Sequence, residues 1–333
     1  MFRLNGNNMH KLLKILNIIS FVVLMSIILV LINDKNQQLF ILQTDGINDN
    51  LDDYNEYMKP NKSDLDIPQH TAINSMLQRP RLLCMVTTTP DYHDTKAIAV
   101  NETWGKRCDT LLYVSSQTYE GLDVIKSNCS IENHDYLWCK NREGLVEAHR
   151  RYNGSYDWLF KADDDTYVVI ENLIHLVSGH NPSEAIWFGQ AFHEPIRNIT
   201  FFTGGPGYIF SAEAVNRLVT SFETKRKYCD ISEEKGPDDV YFAACLEGSG
   251  TVMGDDRDSL GEPRFFHFAP DAWLNPHDTV YHKKAWLKNY ATYNYSAGMQ
   301  CCSSSTVSFH YVTPDYMYVL EFLLYKLKVQ GIN

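Results

Sequence analysis

Three adjacent carboxylates stand at the end of an apolar run. Asp163, Asp164 and Asp165 follow residues 158–162, Trp-Leu-Phe-Lys-Ala, and apolar residues resume at 168–170. Crowded like charges repel one another and are costly to take out of water, and a bound divalent cation would remove that cost. Carboxylates at i and i+2 can reach one Mg²⁺ or Mn²⁺, which can in turn hold a diphosphate. By itself, the motif is compatible with both a metal site and an acidic surface turn.

A glycine-rich turn and an acidic pair are further candidates for the same site. Gly204 and Gly205, within the turn at residues 203–208, would allow a close approach of the backbone to a ligand, although any tight turn uses glycine in this way. Asp238 and Asp239 precede a helical-looking stretch, where acidic residues often cap a helix. Near a metal-bound diphosphate, such a carboxylate could instead serve as a general base.

A histidine and several aromatic residues complete the set of chemical candidates. His310 stands among apolar residues at 308–312, downstream of Cys301 and Cys302. It is either a structural histidine or a ligand for Mn²⁺ beside carboxylates. Aromatic side chains that could line a sugar site, or could be ordinary core, are Phe265, Phe266, His267, Phe268, Trp273, Trp286, Tyr290, Tyr293 and Tyr295.

The apolar pattern predicts the elements that would position these groups. Strands are predicted at 82–86, 111–114 and 158–162, and helices at 96–104 and 142–152. Strands that alternate with helices indicate an α/β fold with a largely parallel sheet covered on both faces. Such sheets bind ligands at the carboxyl ends of their strands. The triple aspartate and the threonines at 87–89 both fall at such ends.

The amino-terminal part of the chain divides into segments of different character. Residues 1–14 carry basic residues and are predicted to be a cytoplasmic tail, and residues 15–32 form an apolar run long enough for a transmembrane signal anchor. A cleaved signal peptide is the alternative, but the run is long for one and no small-residue cleavage site follows closely. Residues 33–78 resemble a polar lumenal stem, ahead of a catalytic domain at 79–325 and a tail at 326–333.

Charge and cysteine content limit the possible partners and the compartment. The net charge of −11 argues against nucleic-acid binding, which requires a basic face. All eight cysteines lie beyond the apolar run, an arrangement suited to disulfides in an oxidising compartment, although eight cysteines allow 105 pairings. Acceptor patterns for N-glycans lie on the same side, at Asn61, Asn101, Asn128, Asn153, Asn198 and Asn294.

Five segments, taken in order, resemble the core 1 β1,3-galactosyltransferase family, within the wider β1,3-glycosyltransferase group that includes Fringe. They are Arg79–Cys84, Thr103–Cys108, Trp158–Tyr167, Gly204–Tyr208 and Cys301–Val312. The resemblance implies a Rossmann-like GT-A fold, Mn²⁺ as cofactor and UDP-galactose as donor. It further implies N-acetylgalactosamine on serine or threonine as acceptor, a single-pass type II location in the Golgi membrane, and allows a homodimer.

The resemblance also assigns roles to particular residues. Asp163, Asp165 and His310 match the metal ligands, and Asp239 matches the catalytic base of an inverting displacement. The residues that match the nucleotide-sugar site are Thr87, Thr88, Arg107, Lys161, Asp164, Gly204 and Gly205.

This chain departs from the family pattern at two places. Lys288 stands where the family has an aromatic residue in its acceptor segment, which leaves the identity of the acceptor open. Cys129 and Cys139 are additional to the family pattern and are expected to pair with each other. The alternatives are a Fringe-like enzyme with another donor or acceptor, or a non-catalytic chaperone paralogue. The family's chaperone lacks the aspartate motif, which is intact in this chain.

Overall fold

The computed structural model describes residues 79–129, 131–195, 198–225, 228–277 and 279–331. The predicted cytoplasmic tail, membrane anchor and stem lie outside these residues. Within the part of the chain that is described, no helix is both long and apolar enough to cross a membrane.

Short strands build one large sheet and two small ones. In chain order they are β1 Leu82–Thr87, β2 Thr110–Ser115, β3 Val124–Lys126, β4 Trp158–Asp163, β5 Tyr167–Val168, β6 Ile186–Gly189, β7 Ala191–Glu194, β8 Ile199–Phe202, β9 Tyr208–Ser211, β10 Val252–Met253, β11 Phe265–Phe266 and β12 Ser308–Phe309. Over the described residues, the large sheet has seven strands in the order β10-β6-β9-β4-β1-β2-β3. The second sheet has the order β11-β12-β5, and the third pairs β7 with β8. The three predicted strands correspond to β1, β2 and β4.

The large sheet is mostly parallel, as the alternation of strands and helices predicts. Strands β3, β2, β1 and β4 run parallel, as do β6 and β10. Strand β9 is antiparallel to both of its neighbours, β4 and β6. An antiparallel strand begins at the edge where its parallel neighbours end. The glycine-rich turn that precedes β9 therefore lies beside the carboxyl end of β4, where Lys161 pairs with Tyr208.

Helices cover both faces of this sheet. They are α1 Ile98–Glu102, α2 Leu137–Tyr152, α3 Ile170–Val177, α4 Ala212–Glu223, α5 Asp238–Gly248, α6 Pro270–Leu274, α7 Val280–Lys283, α8 Ala285–Tyr290 and α9 Pro314–Tyr325. The helix predicted at 96–104 is divided between a π-helical turn, His93–Ala97, the short α1 and a 3₁₀ turn, Trp104–Arg107. It is interrupted because Thr103 leaves the helical conformation, with φ −110° and ψ −110°. The helix predicted at 142–152 is α2, which begins earlier.

Alternate residues of β1 enter two separate cores, because successive side chains of a strand point to opposite faces. Leu83 and Met85 pack in a cluster that includes residues of α2, α4 and α5. Leu82, Cys84 and Val86 pack in a second cluster with residues of α1, α3 and α9. All six residues of β1 are buried. This strand is therefore fixed from both sides, as expected for the interior of a parallel sheet.

Disulfides join neighbouring parts of this framework. All eight cysteines are paired, as Cys84–Cys108, Cys129–Cys139, Cys229–Cys245 and Cys301–Cys302. The expected pair of additional cysteines, Cys129 and Cys139, is confirmed. The first disulfide ties β1 to the residue two positions before β2, and the last lies on the approach to β12.

Candidate functional site

Two aspartates and one histidine converge at the carboxyl end of β4. The Nε2 atom of His310 lies 3.0 Å from Oδ1 of Asp165 and 3.7 Å from Oδ2 of Asp163. One potential ligand atom from each of the three residues falls within 4.8 Å of the other two. The three residues that the resemblance assigns to a metal site are thus brought together, although they come from distant parts of the sequence.

The second sheet sets this convergence. Strand β5 begins two residues after Asp165, and β12 ends immediately before His310. The two strands pair antiparallel, with Ser308 opposite Val168 and Phe309 opposite Tyr167. Because side chains alternate along a strand, a slip of one residue would turn His310 to the other face of the sheet. The strand register therefore fixes the position of the imidazole.

The geometry of the three residues fits a small divalent cation. Two ligands at about 2.1 Å on perpendicular axes of an octahedral ion lie about 3.0 Å apart, which is the separation of the Asp165 and His310 atoms. The Nδ1 atom of His310 is buried without a hydrogen-bond partner. A Cβ atom on Gly205 would lie 2.3 Å from this Nδ1. The glycine backbone therefore packs against the ring, whose Nε2 faces the carboxylates.

Two lysines neutralise much of the acidic cluster. The Lys161 ammonium is fully buried, donates to Asp163 Oδ1 at 2.7 Å and lies 3.6 Å from Asp238 Oδ2. Burial alone lowers the pKa of Lys161, but Asp163 and Asp238 outweigh it, so that the pKa is raised. Lys96 donates to Asp165 Oδ2 at 3.0 Å. Burial alone would raise the pKa of Asp165. Its hydrogen bonds and ion pairs with His310 and Lys96 outweigh burial, and the pKa is lowered to about 2.

Asp239 faces the same site from the first turn of α5. The Gly204 N–H donates to its Oδ2 at 3.1 Å, and the Val240 N–H donates to its Oδ1 at 2.8 Å. Burial, followed by the neighbouring Asp238 carboxylate, raises the pKa of Asp239 above its usual value. Gly204 and Gly205 together thus place the candidate base next to the candidate metal histidine. The site contains a carboxyl that binds a proton more tightly than an ordinary aspartate, as a general base requires.

The threonines at the end of β1 border the aspartate motif. Thr88 Oγ1 donates to Asp164 Oδ2 at 2.8 Å, and Thr87 Oγ1 donates to Asn141 Oδ1. Burial raises the pKa of Asp164 to about 6, although its hydrogen bond with Thr88 acts in the opposite direction. Asn141 also donates to Asp238 Oδ2 at 2.9 Å. A buried polar network therefore connects β1, α2 and α5 beneath the site.

Arg107 lies elsewhere. Its guanidinium forms a bidentate pair with Glu321 of α9, at 2.6 and 3.0 Å, and it stacks on the Tyr325 ring at 3.6 Å. Arg107 precedes β2, so it stands near the amino ends of the parallel strands, whereas the aspartates follow the carboxyl end of β4. The structure does not bring Arg107 together with the other predicted nucleotide-binding residues.

An aromatic wall borders the site next to His310. It consists of Phe192, His267, Phe268, Trp286 and Tyr311. Ring centroids lie 4.0 Å apart for His310 and Tyr311, and 5.5 Å apart for His267 and Trp286. Tyr311 adopts a left-handed conformation, with φ of 57°, which is uncommon outside glycine. It remains 53% exposed, and Trp286 40% exposed, so both rings are accessible to a ligand.

Other members of the predicted aromatic set belong to the hydrophobic core. Phe265, Phe266, Trp273 and Tyr295 are buried.

Three side chains of the site were not predicted from the sequence: Lys96, Asn141 and Tyr311. Lys96 and Asn141 lie in predicted or adjacent helical segments that carry no distinctive motif, so nothing local indicated their role. Tyr311 was marked only by its position next to His310.

Comparisons with known proteins agree with this picture. The Fringe-like family model matches residues 77–254. Glycoprotein-N-acetylgalactosamine 3-beta-galactosyltransferase 1 of Xenopus laevis is 34% identical over 270 residues, which cover 81% of this chain and 73% of the frog protein. The human beta-1,3-glucosyltransferase is 28% identical over 200 residues, covering 56% of this chain and 38% of its own.

Two further similarities are more distant. Radical fringe of Notophthalmus viridescens, a beta-1,3-N-acetylglucosaminyltransferase, is 27% identical over 204 residues, covering 54% of this chain and 50% of its own. The crystal structure of the galactosyltransferase LgtC covers 74% of this chain and 97% of its own at 9% identity, with a TM-score of 0.38, a likeness too low to carry an inference. On the family match and the identity to the frog enzyme, the chain belongs to the Fringe-like family.

Proposed function

We propose that this protein is a metal-dependent, inverting galactosyltransferase with a GT-A type fold. It would transfer galactose from UDP-galactose to the 3-hydroxyl of N-acetylgalactosamine linked to serine or threonine. Membership of the Fringe-like family and 34% identity to the frog galactosyltransferase support this proposal. The observation that carries it is the convergence of Asp163, Asp165 and His310 on one point, with Asp239 held beside them by Gly204.

The metal ligands fit the binding of Mn²⁺. When bound, this ion would offset the charge of the diphosphate and of the UDP leaving group. The protein itself contributes two oxygens and one imidazole nitrogen for this purpose, from Asp163, Asp165 and His310. Gly205 exposes backbone against His310, where a Cβ atom would overlap the imidazole, and Gly204 lies beside Lys161 and Asp238.

Asp239 would act as the general base. Its carboxylate would take the proton of the acceptor 3-hydroxyl while this oxygen forms a bond to C1 of galactose. The bond from C1 to the diphosphate oxygen breaks, and its electron pair leaves with UDP. One displacement inverts the configuration, so an α-linked donor gives a β-linked product. The raised pKa of Asp239 supports this role, because a carboxylate that binds a proton more tightly is a stronger base.

The aromatic wall would bind the acceptor sugar, since exposed aromatic faces pack well against the C–H surfaces of sugars.

Lys288 is the specific feature that favours a second candidate function. It is exposed on α8 and its ammonium lies 5.5 Å from the centroid of the Tyr281 ring. The helix that contributes Trp286 to the aromatic wall therefore carries a cation where the resembling family has an aromatic residue. A related β1,3-glycosyltransferase with another acceptor or donor is the second candidate function.

The proposal is tested by direct assay of the purified protein. The protein is incubated with Mn²⁺ and each of UDP-galactose, UDP-glucose and UDP-N-acetylglucosamine. Acceptors are a glycopeptide that carries N-acetylgalactosamine, one that carries fucose, and the unmodified peptide. Galactose transfer only to the first acceptor supports the proposal. Transfer from another donor or to another acceptor supports the second candidate, and no transfer with any pair would point to a non-catalytic paralogue.

We further propose that the protein is a single-pass type II protein of the Golgi membrane, with its catalytic domain in the lumen. The complete pairing of the eight cysteines supports an oxidising compartment. The apolar run at 15–32 supports an anchor. Protease protection of the full chain in sealed Golgi vesicles tests this topology. Light scattering of the purified protein tests whether it is a homodimer.

A further inference from the structure

The oxygens of two carboxylates are divided between one imidazole and two ammonium groups. Asp163 turns Oδ1 to Lys161, at 2.7 Å, and Oδ2 towards His310 Nε2, at 3.7 Å. Asp165 turns Oδ2 to Lys96 and Oδ1 to His310 Nε2, each at 3.0 Å. Each carboxylate therefore presents a single oxygen to the space that it shares with His310.

The two lysines are themselves held in place. The fully buried Lys161 lies 3.6 Å from Asp238 Oδ2, a second carboxylate that is not one of the three proposed ligands. Lys96 lies 3.4 Å from Asp164 Oδ1, and its ammonium is 4.3 Å from the centroid of the Tyr92 ring. Both ammonium groups are thus anchored by contacts that do not involve the ligands. They can restrict the rotation of the carboxylates to which they donate.

We propose that Lys96 and Lys161 are positioning residues that limit Asp165 and Asp163 to binding a cation through one oxygen each. The site would then favour a small octahedral ion, Mn²⁺ or Mg²⁺, over Ca²⁺. This inference rests on the metal site of the proposed function and deepens it. It assigns to two side chains a share in the choice of metal, beyond the preference that the imidazole ligand already sets against Ca²⁺.

The physical reason lies in the coordination that each ion prefers. Ca²⁺ takes six to eight oxygens and often binds carboxylates through both oxygens, whereas Mg²⁺ requires six ligands at short distances. A carboxylate oxygen that accepts a charge-assisted hydrogen bond from an ammonium is less available as a second ligand. Three single-atom protein ligands leave the remaining octahedral positions to phosphate oxygens and water. Ca²⁺, with up to eight ligands, would lose the two-oxygen carboxylate contacts that it often uses and would draw more of its shell from water.

A purely electrostatic role would have a different consequence. If Lys96 only contributed positive charge, its removal would raise the affinity for every divalent cation by a similar factor. If Lys96 holds Asp165 in a one-oxygen orientation, its removal would favour Ca²⁺ in particular, because Asp165 could then bind through both oxygens. The ratio of the dissociation constants for Ca²⁺ and Mn²⁺ therefore separates the two roles.

The test compares the wild-type protein with Lys96→Met. Lys96 is preferred to Lys161, because loss of a wholly buried ammonium would leave two carboxylates without their partner. Lys106→Met is the matched control, since Lys106 pairs with Glu321 at 2.9 Å and its described contacts do not include the three ligands. Lys96→Arg, which keeps the charge and the donor, tests rescue. Dissociation constants for Mn²⁺ and Ca²⁺ are measured by titration calorimetry on metal-free protein without nucleotide, after circular dichroism confirms folding.

We expect the Ca²⁺-to-Mn²⁺ ratio to fall roughly ten-fold in Lys96→Met, the size of effect that groups supporting a metal ligand commonly have. Lys106→Met and Lys96→Arg should leave the ratio near that of the wild type. An unchanged ratio in Lys96→Met, with both affinities shifted equally, would overturn the inference. A wild-type protein that binds neither ion would overturn it together with the metal site. Sugar transfer enters neither result, so a wrong donor or acceptor is distinguishable from a wrong role for Lys96.

Discussion

Asp238 and Asp239 are neighbours in the sequence but have different surroundings. Asp238 is buried and accepts from the Tyr208 hydroxyl at 2.5 Å and from Asn141 at 2.9 Å. Asp239 accepts only backbone N–H groups among its described hydrogen bonds and is half-buried at the edge of the site. The first carboxylate is thus fixed as part of the framework, and the second is placed where it can exchange a proton.

Replacing Asp239 by Asn should abolish transfer without abolishing donor binding. The amide keeps the size of the side chain but cannot accept the proton, and loss of a general base lowers rates by roughly 10²–10⁴. UDP affinity in the presence of Mn²⁺, measured by calorimetry, should stay close to that of the wild type. A variant that transfers galactose at the normal rate would remove Asp239 from the mechanism.

Asp256 is a second carboxyl for which burial has a measurable consequence. It is 1% exposed, and its Oδ1 has no hydrogen-bond partner. Burial raises its pKa to about 7, although the Arg264 N–H lowers it. In the unfolded chain this carboxyl ionises near pH 4. The folded state holds the proton longer, so Asp256 weakens stability progressively as the pH rises from about 4 to about 7.

The Asp256→Asn variant should therefore show a weaker dependence of stability on pH. Between pH 5 and pH 8 the wild type should lose roughly 2–3 kcal/mol of unfolding free energy through this group, because one pKa unit corresponds to about 1.4 kcal/mol. Urea unfolding of metal-free protein at pH 5 and pH 8 measures this loss for both proteins. Other carboxyls contribute equally to both, so identical pH slopes would show that Asp256 is ionised in the folded state.

At the scale of secondary structure, the proposed metal site depends on a strand pairing and a glycine turn. The pairing of β5 with β12 brings His310 to the aspartates. The turn before β9 then packs Gly205 against the imidazole, where a Cβ atom would lie 2.3 Å from Nδ1. Real Cβ atoms do not approach other atoms so closely, and the contact is with a buried ring that other residues hold in place.

The Gly205→Ala substitution should consequently displace His310 and weaken Mn²⁺ binding by about 10–100-fold, as loss of a group that orients a ligand commonly does. Gly179→Ala is the matched control, because a Cβ atom there meets nothing within 4 Å. Electron paramagnetic resonance of free Mn²⁺ measures binding for both. Equal affinity in the two variants would mean that the steric overlap at residue 205 is relieved without moving the histidine.

At the scale of the whole molecule, the ligands join parts of the chain that are far apart in sequence. Asp165 and His310 are separated in the sequence by a segment that contains β6 to β11. A cation that binds only when both are in place binds only the folded state. Such a ligand raises the free energy of unfolding by about 2.7 kcal/mol at 100 times its dissociation constant.

Saturation with Mn²⁺ should therefore raise the melting temperature by about 5–10 °C for a domain of this size. EDTA should reverse the shift, and Asp165→Ala should not show it. Scanning calorimetry of the wild type and the variant, with and without Mn²⁺, measures the effect. A shift of equal size in Asp165→Ala would place the stabilising ion elsewhere.

The sequence predicted the sheet core and the acidic end of β4, because both are local patterns: alternating strands and helices, and charges adjacent to an apolar run. The prediction that His310 and Asp239 belong to the same site comes from the resemblance and not from a local pattern. The sequence did not predict the partner of Arg107, since Glu321 lies in a helix 214 residues further along the chain. The same holds for Lys96, whose contacts depend on how a divided helix packs beside the aspartates.

The lysine partners of the acidic cluster should affect how the protein behaves without a bound metal ion. Because Lys96 and Lys161 already balance much of the negative charge, withdrawal of the ion leaves a site with internal counter-ions instead of bare repelling groups. The apoprotein should then keep its tertiary structure through dialysis and regain the ion when manganese returns. Loading would follow the local supply of manganese, with no need to rebuild the fold on each occasion.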